Sequence, residues 1–256
     1  LINNHNQACR KSLVDFRHVA LSDCVSTNIE CFTRARAGDA GNLWVTAERQ
    51  TGGRGRRGRT WVSESGNLYA SLLLLDPARL EKSGSLPLAI ALGVYRAVNK
   101  VLPAGGQDLA IKWPNDLLIN RLKASGILIE AEMLPSGHRA VVIGIGININ
   151  NMPDNPAYPV TRISDYAAGV SADILFTHLF AEMTEVLNLW NAGEGVSDVM
   201  QQWRSVACGI GEEIRVNLPN RSLTGRFCGI DDQGYLILDE GDGVKTAIAA
   251  GDVFFG

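Results

Sequence analysis

The chain has 256 residues, 46% hydrophobic and 20% charged, which is ample for a packed core and too apolar for a disordered chain. Its 24 Lys and Arg against 27 Asp and Glu give a formal net charge of -3, without the basic excess of a nucleic-acid binder. Five Cys, at 9, 24, 31, 208 and 228, with four His and no CxxC, speak against a zinc site and a disulfide framework and suit a cytoplasmic protein.

The start, Leu1 to Lys11, is polar and carries no signal-peptide core, and the apolar runs Leu72–Leu75 and Val141–Ile149 are too short to span a membrane. Leu1 in the place of Met leaves room for residues upstream. Thr27 or Asn28 can cap a helix that runs to about Ala37 and stops at Gly38. Leu43 to Glu48 reads as a strand, and so does Leu68 to Leu75. The interval between them, rich in Gly, Arg, Thr and Ser, is a long loop, and long loops in compact domains tend to carry function.

Leu86 to Val101 has helical periodicity, with Pro87 tolerated in the first turn. Ala110–Trp113, Leu117–Ile119, Ala124–Met133 and Ala140–Ile149 read as strands of an antiparallel or mixed sheet, with turns at Asn120-Arg121 and Pro135-Ser136-Gly137. Asp173–Trp190 and Asp198–Val206 are helical patterns. After Gly209 and Gly211 come short alternating segments, Ile214–Leu218, Leu223–Ile230, Tyr235–Leu238 and Lys245–Ala249, spaced as in a small β-barrel. The layout is α+β: a catalytic-sized domain over 1–208 and a small β domain over 209–256.

Gly53-Arg54-Gly55-Arg56-Arg57-Gly58-Arg59 satisfies the spacing of a dinucleotide fingerprint, but that motif must open a helix, and residues 59 to 67 run into the next strand. A P-loop fails as well. What remains is four arginines spaced by glycines, a pattern suited to phosphate oxygens because each guanidinium stays charged and offers a fixed fork of donors. Gln50 and Trp61 beside the loop add an amide and a stacking surface. A solvated basic turn is the plain alternative.

Lys112-Trp113-Pro114-Asn115-Asp116 marks a strand end, and the following hairpin presents Lys123. Two lysines and an aspartate there could surround a phosphoryl group and its magnesium ion, with Asp116 as the metal ligand. In Val141–Asn150, glycines at 144 and 146 hint at close approach of a backbone or a flat ligand, with tight sheet packing an equal alternative. Asn148, polar in an apolar run, is the better contact for a base or ribose. The histidines form no hydrolytic triad.

Taken in order, Ser26-Thr27-Asn28, Gln50 to Arg59 with Trp61, Lys112 to Asp116, Lys123 with Gly126-Ile127-Leu128, and Gly144 to Asn148 resemble the successive motifs of bacterial biotin protein ligases. The resemblance extends from about residue 20 to the C-terminus. It implies a class II aminoacyl-tRNA synthetase/biotin ligase-like catalytic domain with a mixed sheet, followed by an SH3-like β domain. The implied reaction is ATP-dependent formation of biotinyl-AMP, then transfer of biotin to a lysine of a biotin carboxyl carrier protein domain. Ser26, Thr27, Asn28, Gln50 and Arg54 would bind biotin, and Arg56 would help retain the adenylate. Trp61 and Asn148 would lie by the adenine, Asp116 would hold Mg2+, and Lys112 and Lys123 would meet the reacting carboxylate and phosphate. Gly53, Gly55, Arg57, Gly58, Arg59, Gly126 and Gly146 would complete the cradle.

The resemblance also implies that the loop acts as a lid. About twenty residues precede Ser26, too few for a DNA-binding domain, so neither DNA nor a membrane is an expected partner; a homodimer is allowed. Gly52 stands where alanine is common in the family. A lipoate ligase on the same fold is the nearest rival, and it would need apolar surface where biotin's ureido ring needs paired donors and acceptors.

Overall fold

The computed structural model describes residues 15–154, 156, 158–241 and 243–255. The polar start read above and the final Gly256 lie outside the described residues. A seven-stranded sheet carries β1 (Arg17–Cys24), β2 (Leu43–Gln50), β3 (Leu68–Leu75), β4 (Leu109–Lys112), β5 (Asp116–Ile119), β6 (Leu122–Met133) and β7 (Arg139–Ile147) in the order β1-β2-β3-β7-β6-β5-β4. Only β1 and β2 pair in parallel, so the sheet is mixed.

β1 carries no clean sequence signal. Its residues are mostly exposed, and only Val19 and Leu21 lean on a buried cluster, as expected for an edge strand.

The two faces of the sheet have different coverings. Trp44, Leu72, Leu74, Ile143, Ile145 and Ile147 point to one face, beneath α2 (Leu86–Val101) and α3 (Ala172–Trp190). α3 starts at Ser171, whose hydroxyl accepts from the Ile174 N–H, and it buries Leu175, Leu179, Met183, Val186 and Trp190 as one stripe. α4 (Val196–Ser205) adds Val199, Met200 and Trp203 to the same core.

The other face is only half apolar. α1 (Thr27–Arg36) sets Cys31, Phe32 and Ala35 on Leu43, Val45, Leu73, Val142 and Ala140. Farther along the same strands the pattern of alternate residues continues as Ser71 and Tyr69 on β3, Gly144 and Gly146 on β7, and Gly126 and Leu128 on β6. One row therefore crosses the sheet from Ala47 through Tyr69, Gly146, Gly126 and Asp116 to Lys112. This half of the face lacks the bulk to pack against a helix.

The C-terminal segments β8 (Glu213–Asn217), β9 (Ser222–Ile230), β10 (Leu236–Asp239), β11 (Lys245–Ile248) and β12 (Asp252–Phe255) form an antiparallel sheet in the order β11-β10-β9-β8-β12. Alternate residues Ile214, Val216, Leu223, Phe227, Leu236 and Leu238 are buried. β12, next to β8, is a strand beyond those expected from turn spacing. No described helix is long and apolar enough to cross a membrane.

Candidate active site

A cleft opens over the glycine-paved half of the sheet. It is lined by Ser26, Thr27 and Asn28 at the start of α1, Gln50 at the end of β2, the arginine loop, and Asp116, Lys123, Gly126 and Gly146. The glycines admit specific side chains. A Cβ on Gly146 would lie 2.5 Å from the Trp61 indole, and one on Gly144 would lie 2.3 Å from Asn28 Oδ1. The flat group on the glycine shelf is therefore the chain's own Trp61. Its Nε1 is buried with no hydrogen-bond partner among the described residues.

At one end of the cleft, polar side chains bind one another. Gln50 Oε1 accepts from the Thr27 N–H at 2.8 Å and lies 3.1 Å from Thr27 Oγ1, and Gln50 Nε2 donates to Ser63 Oγ at 3.0 Å. Ser71 Oγ lies 2.7 Å from Thr27 Oγ1 and 2.6 Å from Asn28 Oδ1. Ser26, Thr27 and Asn28 are buried, and buried polar groups are stable only when partnered this way. The arrangement suits a small head group with both donors and acceptors.

The other end is electropositive. Lys123 Nζ lies 2.7 Å from Asp116 Oδ1 and stands over the rings of Tyr158 and Trp61, at 4.8 and 5.6 Å. Arg56 donates to Asn115 Oδ1 at 2.8 Å and reaches the Gly251 carbonyl at 3.4 Å. Burial pushes the Arg56 guanidinium below its usual pKa, with Asp252 and Asp116 opposing the shift. Arg57 and Arg59 both donate to Asp252 Oδ2, at 2.8 and 2.7 Å, and so tie the loop to the first residue of β12. Arg54 turns the other way and meets Glu130 at 3.0 Å.

A second, adjoining cavity of about 290 Å³ shares Arg56, Arg59, Asp116, Lys123 and Tyr158 and adds Lys112, Arg121 and Phe255. Lys112 Nζ lies 5.6 and 5.4 Å from the Phe254 and Phe255 ring centres. Burial lowers its pKa, and Asp116 counters part of that.

Of the residues singled out from sequence, the cleft gathers Ser26, Thr27, Asn28, Gln50, Arg54, Gly55, Arg56, Arg59, Trp61, Asp116, Lys123, Gly126 and Gly146. Lys112 lies on the second cavity alone. Gly53, Arg57, Gly58 and Asn148 line neither. Gly53 is packed against Ser63 Oγ and the Trp61 carbonyl, where no side chain fits. Asn148 is buried, and its Nδ2 donates to the Thr161 carbonyl at 3.1 Å, so its amide braces a loop of the chain itself.

Arg56 to Gly58 makes a single turn of 3-10 helix, with Arg57 at φ 56, far short of the helix a dinucleotide fingerprint opens. Glu130, Tyr158 and Asp252 lie outside the motifs singled out from sequence, and Asn115 enters only as part of the Lys112–Asp116 motif. Asp252 and Tyr158 carry no local signal; Glu130 does, as an acid on an apolar strand in phase with Gly126 and Leu128.

Residues 25–150 match the biotin/lipoate A/B protein ligase family, and residues 209–256 match the biotin protein ligase C terminal domain. The chain is 35% identical over 240 residues to a biotin-acetyl-CoA-carboxylase ligase of Paracoccus denitrificans, covering 90% of this chain and 97% of that protein. The chain belongs to the biotin protein ligase family. It is also 35% identical over 212 residues to the bifunctional ligase/repressor BirA of Bacillus subtilis, covering 80% of this chain and 64% of that protein. Among solved structures, a biotin protein ligase of Leishmania major in complex with biotinyl-5-AMP superposes with a TM-score of 0.65 at 27% identity, over 92% of this chain and 99% of that one. The α+β fold with its separate C-terminal antiparallel sheet is that of the biotin ligases.

Proposed function

We propose that this chain is a biotin protein ligase of the EC 6.3.4.15 group, which activates biotin with ATP and transfers it to a lysine of a biotin carboxyl carrier protein domain. The observation that carries this reading is the continuity of one cleft, with a hydrogen-bonding pocket at Thr27, Asn28 and Gln50 and a cationic end at Lys123 and Arg56. The Leishmania major relative, with its bound biotinyl-5-AMP, supports it.

In the first step a biotin carboxylate oxygen bonds to the α-phosphorus of ATP as the bond to the β-phosphate oxygen breaks, and pyrophosphate leaves. Bringing two anions together is the main obstacle, and Lys123 and Arg56 offset it where charge builds up. In the second step the amine of the acceptor lysine bonds to the acyl carbon, gives up a proton, and AMP leaves with its electron pair. An acyl-adenylate is hydrolysed by water, so the loop held across the cleft by Asp252 protects it as well as binding it.

Magnesium fits this site in a limited way. Among the described residues no three His, Cys, Asp or Glu cluster as a metal cage. Magnesium bound through substrate phosphates needs only one or two protein carboxylates, which Asp116 can supply. When bound there it would neutralise phosphate charge.

In this reading residues 1–208 form the catalytic unit and 209–256 a cap, a division that the two separate sheets support. The net charge of -3 supports a reading without a DNA partner, and the free cysteines a cytoplasmic setting.

The test is ATP–pyrophosphate exchange measured with biotin, lipoate and octanoate side by side. Biotin alone is expected to drive exchange, and exchange driven by lipoate but not by biotin would overturn the reading.

A further inference from the structure

Glu130 stands on β6 in phase with Gly126 and Leu128, which places it on the glycine-paved face beside the pocket. One of its oxygens, Oε2, accepts from two sides, from Asn28 Nδ2 at 2.8 Å and from Arg54 Nη2 at 3.0 Å. Asn28 is buried and its amide fills the notch over Gly144, so the amide has two settings at most, as seen or turned end for end.

An ionised carboxylate can only accept hydrogen bonds, so it selects between those settings. Asn28 must direct Nδ2 to Glu130 and leave Oδ1 facing Ser71. Oδ1 has no proton to give, so the single Ser71 proton goes to Asn28. The 2.7 Å contact between Ser71 and Thr27 then takes its proton from Thr27. With the Thr27 hydroxyl proton committed to Ser71, Gln50 Oε1 keeps the Thr27 N–H as its one donor and one lone pair free for a ligand. Were Asn28 turned around, every proton would point the other way. Thr27 would then donate to Gln50 Oε1 across the 3.1 Å contact and occupy that lone pair.

We infer that Glu130 is a positioning residue for the acid substrate: it sets the direction of the hydrogen-bond chain Asn28–Ser71–Thr27–Gln50 and keeps Gln50 Oε1 available as an acceptor. The inference rests on the biotin-ligase reading above, because a ureido ring presents two N–H donors that need such acceptors. Through its second bond Glu130 also anchors Arg54, so the pocket is set and one end of the loop is held by a single carboxylate.

The experiment titrates this chain with biotin by calorimetry, for wild type, Glu130→Gln, Ser71→Ala and the double variant, with a thermal melt of each as a check on folding. Wild-type binding tests the functional reading by itself; the ratios among variants test the chain. A glutamine at 130 can donate as well as accept and frees the Asn28 amide to turn. Glu130→Gln and Ser71→Ala are each expected to weaken biotin binding about tenfold, the scale of one hydrogen bond in a charged network. The KM for ATP in the exchange assay is expected to stay within about twofold of wild type. Because both variants break one chain, the double variant is expected to bind about as weakly as the weaker single. A Glu130→Gln dissociation constant within twofold of wild type, or losses that multiply in the double variant, would overturn the inference.

Discussion

Lys123 and Asp116 form an ion pair at the cationic end of the cleft, Nζ to Oδ1 2.7 Å, with their side chains 13% and 21% exposed. The pairing holds the ammonium at the junction of the two cavities, with Tyr158 against it. Without ligand the aspartate balances a charge that a phosphate would otherwise meet directly. Lys123→Gln is expected to lower the rate of biotin-dependent pyrophosphate exchange by about a hundredfold or more, the loss typical of removing one positioned charge at a reacting group. Far-UV circular dichroism should match wild type. Exchange within tenfold of wild type would remove Lys123 from the reacting centre. Asp116→Asn is expected to raise the magnesium concentration needed for half-maximal exchange, and an unchanged requirement would remove it from metal binding.

The arginine loop is tied to residues nearly two hundred positions away. Asp252 takes both Arg57 and Arg59, and Arg56 reaches Asn115 and Gly251. Asp252→Asn removes the charge that holds two guanidinium groups and should let the loop open more often. Trypsin is then expected to cut within residues 54–59 several times faster than in wild type, as followed by mass spectrometry. Arg56→Gly keeps the two ties to Asp252 and should release adenylate about tenfold faster in a chase experiment, because it loses a single charged hydrogen bond to a ligand. Unchanged adenylate release would refute the role of Arg56 as a clamp.

Gly146 leaves no space for a methyl group, since its Cβ would stand 2.5 Å from the Trp61 indole. Gly146→Ala must displace that ring, at about 1–3 kcal/mol for an overpacked contact. The expected signs are a lower denaturant midpoint, a changed tryptophan emission and weakened ATP binding. Were all three unchanged, the indole would not rest on this shelf in solution.

Buried Cys31 and Tyr69 and half-buried Cys24 bind their protons more tightly in the folded chain than in the unfolded one. Burial raises Cys31 to about 12, Cys24 to about 11 and Tyr69 to about 12, with nearby Glu30 adding to the shift of the two cysteines and Glu64 to that of Tyr69. A raised folded-state pKa contributes stability that is complete below the unfolded value, near 9 for the thiols, and is lost as pH climbs through the folded values. The melting temperature is therefore expected to decline between about pH 9 and 12, and Cys31→Ala should flatten the decline. At pH 8, iodoacetamide should label exposed Cys228 well before buried Cys31. Equal labelling rates would contradict the burial of Cys31.

Much of this protein is legible along its chain. The helices over 86–101 and 172–190 follow from apolar residues at helical spacing, the strands of the sheet centre from runs of β-branched and aliphatic residues, and the C-terminal sheet from regularly placed turns. The arginine loop declares itself because so dense a cluster of one charge, spaced by glycines, has few structural uses. By contrast, β1 mixes Val19 and Leu21 with mostly exposed, polar residues, and its place as a strand shows in its parallel pairing with β2.

Residue types alone supply the chemical parts: cations for phosphate, an amide and hydroxyls for a polar head group, glycines for close approach. The tertiary structure decided which parts meet and which neighbours orient them. It brought Asp252 to Arg57 and Arg59, Glu130 to Asn28 and Arg54, and Tyr158 to Lys123. It turned Asn148 inward to hold the chain, away from both cavities. The physical reason is that residue type sets what a side chain can donate, accept or charge, whereas its partner is set by strand register and the packing of distant segments, which no local pattern encodes.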